Sequence, residues 1–322
     1  MRQPLPRRTL NAVALLLAAP LAAALIAQAP AATPGTPGAP GAAAPAAAPP
    51  AASPATAAAA AAAPVPNPPT VGGTSDPKAV AVADATLAAM GGHAAWDATH
   101  FLRFNFVGRR THYWDKWTGR HRLEGKTKEN EAFVVLDNVN TRQGAAYLGG
   151  KLVEGDKGAK LVENSYAAWV NDTYWLLMPY KLKDTGVNLS YVGTQQLDGK
   201  EYDEIGLTFG AVGLTPGDHY WAWFNRGTHL MDRWAYLLQD QPRDAAPTVW
   251  LWQGWQRYGG IMLAPHRVQP DGQKKLELSD LLVTAQMPDA VFTSPAPVPQ
   301  LAADLGGAAP APAKAVGKPR PR

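Results

Sequence analysis

Hydrophobic and polar residues alternate through most of the middle of this 322-residue chain. Leu102, Phe104 and Phe106 fall on one face, with Arg103 and Asn105 on the other, which is the period of two of a half-buried strand. The same period returns at Thr111–Asp115, Arg120–Lys126, Ala132–Asp137 and Ala146–Leu148. It resumes later at Val187–Val192, Ile205–Phe209, Tyr220–Asn225, Leu230–Leu238, Val249–Arg257, Leu263–Val268 and Lys275–Ala285. Asp198-Gly199, Pro216-Gly217-Asp218, Arg226-Gly227 and Asp271-Gly272 punctuate these runs as hairpin turns do.

Two stretches break the alternation. Asp76-Pro77 pairs a capping residue with a proline suited to the first helical position, and Val80, Val82, Ala83, Leu87 and Met90 then recur at helical spacing until Gly91-Gly92. Between the two sets of strands, Trp169, Tyr174, Trp175, Leu176, Leu177 and Met178 form an apolar block ended by Pro179. Asn171-Asp172 interrupts that block where a side-chain oxygen can cap a second short helix, so the spacing predicts a bent helical pair. The fold class expected is mainly β (α+β): a curved antiparallel half-barrel of about eleven strands, covered by an N-terminal helix and an inserted helical lid.

The ends read differently. Arg2–Arg8 is basic, Leu10–Ala27 is almost wholly apolar, and small residues follow, which is the order of a secretory signal peptide with cleavage after Ala31. An uncleaved inner-membrane anchor is the competing reading, since the apolar run approaches the ~20 residues a bilayer needs. Residues 32–75 are Ala, Pro and Gly with almost no charge, a spacer rather than a fold, and residues 295–322 form a Pro/Ala tail with added basic residues. The folded domain is therefore placed at 76–294 and in the periplasm.

Composition narrows the chemistry. The formal charge of +4 comes largely from the ends, through Arg2, Arg7, Arg8, Lys314, Lys318, Arg320 and Arg322, so a nucleic-acid partner is not expected. With no cysteine there is no disulfide, thiolate metal site or cysteine nucleophile. The 11 Trp, 10 Tyr and 7 Phe supply an aromatic core that disordered chains lack.

Alternation also sorts the aromatic residues. His219, Trp221, Trp223 and Asn225 share a face, as do Asp232, Trp234, Tyr236 and Leu238, and Trp250 pairs with Trp252. Such residues either fill an interior or line a cavity. Trp169, Trp175, Met178, Trp221, Trp223, Trp234, Trp250 and Trp252 are the candidate lining of a ligand pocket. None of the seven histidines forms a two-His pair at helical spacing; Asp218 with His219 is the best cluster for acid–base or metal work, and as a turn it needs no function. Asp115, Arg120, His121, Arg122 and Glu124 read as a charged strand surface or as a positive rim for lipid phosphates. No glycine-rich phosphate loop and no Gly-x-Ser-x-Gly turn is present, so neither a cofactor nor a metal is expected.

Four motifs carry a resemblance. Tyr113-Trp114-Asp115 with Gly119-Arg120-His121-Arg122, then Asn171 through Leu182, then Gly213-Leu214-Thr215-Pro216-Gly217-Asp218, and finally Pro288-Asp289-Ala290-Val291-Phe292 resemble the outer-membrane lipoprotein-sorting (LolA/LolB-like) superfamily, in a periplasmic branch, over roughly residues 76–294. The resemblance implies an open half-barrel with a helical lid and an apolar cavity that holds acyl chains without chemical change. On this reading the chain is an exported, non-catalytic binder of a lipid or lipoprotein acyl chain. The rival readings are an envelope interaction module with a protein partner, and a hydrolase or metal enzyme using Asp218 and His219.

Overall fold

The computed structural model describes residues 74–298 and 301; the expected signal peptide and almost all of the expected spacer lie outside these residues. Helix α1 (Pro77–Ala89) starts as its sequence predicts, with the Asp76 carboxylate accepting from the Lys78 amide at 2.8 Å. Helix α2 (Gly92–Ala98) follows at once. Six strands come next, β1 (Phe101–Phe106), β2 (Arg110–Asp115), β3 (Arg120–Lys126), β4 (Ala132–Asn138), β5 (Gln143–Leu148) and β6 (Lys151–Val153), and each pairs antiparallel with the next. Helix α3 spans Gly155–Leu177 and runs into a 3-10 turn at Met178–Tyr180.

The second set comprises β7 (Val187–Leu197), β8 (Lys200–Phe209), β9 (His219–Asn225), β10 (Met231–Leu237), β11 (Thr248–Gln253), β12 (Gln256–Tyr258), β13 (Ile261–Leu263), β14 (His266–Val268) and β15 (Lys275–Thr284), before a last short helix, α4 (Ala290–Thr293). Thirteen strands form one open, curved sheet in the order β6-β5-β4-β3-β2-β1-β15-β14-β11-β10-β9-β8-β7, with β12 and β13 as a separate hairpin. The architecture is the expected one, with more strands than the eleven or so that the alternation shows.

The order explains the curvature. Strands β6 and β7 are the two edges of the sheet, and α3 is the segment that connects them. Thirteen strands at about 4.8 Å spacing would lie roughly 58 Å across if flat, whereas the 23 residues of α3 make a helix about 35 Å long. Curling the sheet brings its edges within reach of that helix. Its inner face is thereby covered along the helix's length.

Two local expectations are corrected. The cover is one helix, not a bent pair: Asn171 and Asp172 lie inside α3, and Asp172 is fully buried. The charged group on β2 and β3 is not a lipid-facing rim. Arg122 is 1% exposed and donates to the carbonyls of Ser294 (2.7 Å) and Ala296 (2.9 Å), while Arg120 pairs with Asp115 and Asp289. These arginines hold the closing segment against the outer face, where Val291, Phe292 and Leu301 pack on Phe101 and Tyr113. The packed chain thus continues past Ser294.

Candidate functional site

The inner face of β8–β11 is built by strict alternation. Cross-strand partners point to one side of a sheet, and Ile205 opposes Ala222, Ala222 opposes Trp234, and Trp234 opposes Trp250. This row and its neighbours Tyr220, Phe224, Tyr236 and Trp252 meet Tyr174, Trp175 and Met178 from the C-terminal end of the cover. The rings lie edge to face: Trp175 is 5.0 Å from Trp234 and 5.5 Å from Trp250, and Trp234 is 5.5 Å from Trp252. Burial pushes the hydroxyls of Tyr174 and Tyr220 well above the usual tyrosine range, so both stay neutral.

Five of the eight candidate lining residues therefore come together: Trp175, Met178, Trp234, Trp250 and Trp252. They pack on one another beneath α3. Trp169 sits over the other half of the sheet, 5.2 Å from Trp114. Trp221 and Trp223 oppose Ala235 and Arg233 on the outer face, and the inward residues of β9 are Tyr220, Ala222 and Phe224. Their shared face is legible from alternation; which face it is depends on the fully buried Ala222 and Phe224 between and beside them.

Arg267 closes the same layer from below. Its guanidinium stacks 3.3 Å from the Trp252 ring centre and donates to the carbonyls of Ala264 (2.7 Å), His266 (2.9 Å) and Trp175. Burial drives its pKa well below the ordinary arginine value. The Trp175 carbonyl belongs to the last turn of α3, where helical carbonyls lack partners of their own and a cation is favoured. Arg267 thus fastens the aromatic end of the cover.

Open space adjoins this layer at the other helix. Between α1 and β7–β9 lies a hollow of about 240 Å³, floored by Val82 and Phe224 and edged by Lys78, Tyr191, Arg226 and His229. Phe224 belongs both to this hollow and to the core beneath α3, and Val82 packs against the same core. Lys78 Nζ stands 3.7 Å from the Tyr191 ring centre, a cation at the mouth.

About one turn before the aromatic end of α3, at Asp172, the chemistry is polar. The Asp172 carboxylate accepts from Arg110 at 2.6 and 2.8 Å and lies 2.8 Å from His112 Nε2; His112 Nδ1 lies 3.0 Å from His121 Nε2, and His121 Nδ1 lies 2.7 Å from Asp137 Oδ1. His112, His121 and Asp172 are 0% exposed, and Phe104 stacks on His112 at 4.6 Å. Burial opposes the Asp172 charge, yet its bonds from His112 and Arg110 prevail and hold the carboxyl below the ordinary range. Burial lowers His112 to about 4. His112 and His121 both face inward from neighbouring strands, so period two across the β2–β3 hairpin could have revealed the pair where helical spacing does not.

Asp218 and His219 are held by different partners. The Asp218 carboxylate accepts from Thr215 Oγ1 (2.6 Å) and the Gln239 amide (2.8 Å), pinning a loop. His219 lies beside Trp221 on the outer face. Among the described residues no three His, Cys, Asp or Glu side chains gather as metal ligands would.

The fold and site define a class, an open antiparallel sheet covered by a long crossing helix, its inner face apolar over β8–β11 and polar at β2–β4. Among solved structures the chain is similar to a DUF1329 family protein from Desulfovibrio piger, at 14% identity over 66% of this chain and 96% of that one, with a TM-score of 0.40. It is also similar to a putative outer membrane lipoprotein-sorting protein domain from Vibrio parahaemolyticus (10% identity, 67% and 96% covered, TM-score 0.36) and to the Mycobacterium tuberculosis lipoprotein LppX (13%, 66% and 100%, 0.26). No protein-family model and no curated protein matches the chain. Among the described residues no helix is long and apolar enough to cross a membrane.

Proposed function

We propose that this chain is an exported, non-catalytic protein that binds a lipidic ligand, its acyl portion seated on the inner face of the sheet and its polar end at the α1 mouth. The observation that supports this reading is a shared wall: Phe224 lines the open hollow and belongs to the covered layer. The apolar floor behind a polar mouth, where Lys78 stands beside Asp203 and its partner Arg226, matches an amphiphile end for end. At about 0.8 kcal/mol per buried methylene, an acyl chain of about a dozen carbons brings on the order of 10 kcal/mol before the costs of ordering it.

The hollow of about 240 Å³ is smaller than most sites for drug-sized ligands, which start near 300 Å³. A full acyl chain therefore enters by displacing the rings that now pack beneath α3, with Trp175 as the movable piece on the helix. Trp234, Trp250 and Trp252 form the floor it would meet, and Trp221 and Trp223 take no part.

The test is native mass spectrometry of the exported protein for co-purified lipid, together with quenching of tryptophan fluorescence by a bromine-labelled fatty acid. Saturable quenching, weakened at least tenfold by Ala85→Arg at the hollow, is the expected result. An empty protein whose tryptophans are not quenched would overturn the reading.

A further inference from the structure

The polar chain that meets α3 at Asp172 has more hydrogen bonds than two neutral imidazoles can supply with protons. Three bonds lie in series, Asp172 to His112, His112 to His121 and His121 to Asp137, at 2.8, 3.0 and 2.7 Å. Each needs one proton between its heavy atoms, and two neutral imidazoles carry one apiece. With two protons, one bond is left as two lone pairs face to face. A third proton completes the series. It also balances the charge, because Arg110 and the extra proton offset Asp172 and Asp137.

A fourth proton has no place in the series. On the second imidazole it sets two N–H groups against each other across the 3.0 Å between the rings; on Asp172 it removes the charge that holds Arg110 and His112. In the first case the clash is relieved only when a ring moves out to water, which α3, burying His112, must lift to allow; in the second the bonds from Asp172 to the sheet are themselves lost. We infer that the series Arg110–Asp172–His112–His121–Asp137 is a proton-counting latch, which holds the covering helix with three shared protons and lets it go when acid supplies a fourth.

The groups that face the rings are few. Asp172 comes from α3, Arg110 from β2 itself, Asp137 from β4, while β1 contributes the uncharged Phe104 ring. The depressed basicity of His112, caused first by burial, agrees with a ring that resists the fourth proton until the pH is well below neutral. Arg110 is about a third exposed, so the series reaches solvent at this end. The inference stands whether or not the protein binds lipid, since it concerns the attachment of the helix alone.

Hydrogen–deuterium exchange of the intact protein at pH 7 and pH 5, corrected for intrinsic rates, tests it. Peptides covering residues 165–177 should exchange on the order of tenfold faster at pH 5, while those of β9 and β10 stay unchanged. His112→Gln, which cannot titrate, should abolish that pH dependence. If that variant does not fold, nitrogen NMR of the unmodified protein decides. At neutral pH it should show His112 as a neutral ring and three protons shared along the series. Exchange independent of pH, a pH dependence that survives in His112→Gln, or a His112 titrating near the ordinary 6.5 would overturn the latch.

Discussion

One helix is held in two ways by the two halves of one sheet. Over β2–β4 α3 is fixed at Asp172, by charged and hydrogen-bonded groups, to Arg110 and His112. Over β8–β11 its last turns rest on aromatic rings, through Tyr174, Trp175 and Met178. Directional bonds specify position because they are lost over a fraction of an ångström, whereas apolar burial is nearly indifferent to sliding. The polar half therefore sets the register of the cover, and the aromatic half supplies most of the burial, with Arg267 holding the backbone at Trp175 while the rings themselves can repack.

The largest expected effect strikes the aromatic half. Trp234 is 1% exposed and touches Trp175, Trp252, Tyr220 and Tyr236. Trp234→Ala should cost about 5 kcal/mol in urea unfolding, the upper end for truncating a buried aromatic residue. If the two halves are separate supports, amide protection near Asp172 should outlast protection around Trp175 in this variant. Equal loss along the whole helix would mean that the two act as one.

Asp172→Ala comes next, at about 4 kcal/mol, because it strands a buried imidazole and the partly buried Arg110 charge. A double-mutant cycle with His112→Ala should give a coupling of about 2 kcal/mol. A coupling near zero would mean that the 2.8 Å contact fixes nothing.

How much of this could be read in advance differs between the halves for a physical reason. Alternation is local, so the strands, the inward set Trp234, Tyr236, Trp250 and Trp252, and the cap at Asp76 are legible from neighbours in the chain. The partners of Asp172 are 60 and 62 residues away, so a local reading can only take it for a cap. The first half of α3 hides for a similar reason. Gly158 looks like a helix breaker, but a Cβ there would stand 2.0 Å from the Val153 carbonyl, and the glycine is what lets helix and strand approach. The filled space beneath the cover was open in the sequence, since alternation says which residues face one another and not whether a gap remains between them.

Acid sharpens the contrast by acting on one half. His112 titrates near the ordinary 6.5 when unfolded and at about 4 when folded, so the unfolded chain binds more protons between these values. The contribution of His112 is then full above 6.5 and falls as the pH drops toward 4, by about 3 kcal/mol in all. Asp172, held below its ordinary 3.8, extends the loss in the same direction at still lower pH. Urea midpoints measured from pH 8 to pH 4 check this, and His112→Gln should flatten the upper part of the curve. An unchanged midpoint across that range would place the sensitivity elsewhere.

The smallest effect separates the two faces of β9. Trp223 is half-buried on the outer side, where its indole N–H donates to Gln195 at 3.3 Å, and Trp223→Ala should cost only about 1 kcal/mol. Phe224, the next residue, is 1% exposed, and Phe224→Ala should cost about 3–4 kcal/mol. Neighbours one position apart thus differ severalfold because the strand turns them to opposite sides of the sheet. The same pair bears on the ligand: a fatty-acid probe seated on the inner face should lose affinity in Phe224→Ala and keep it in Trp223→Ala. The reverse pattern would move the binding surface to the outer side, where Trp221 and Trp223 lie together.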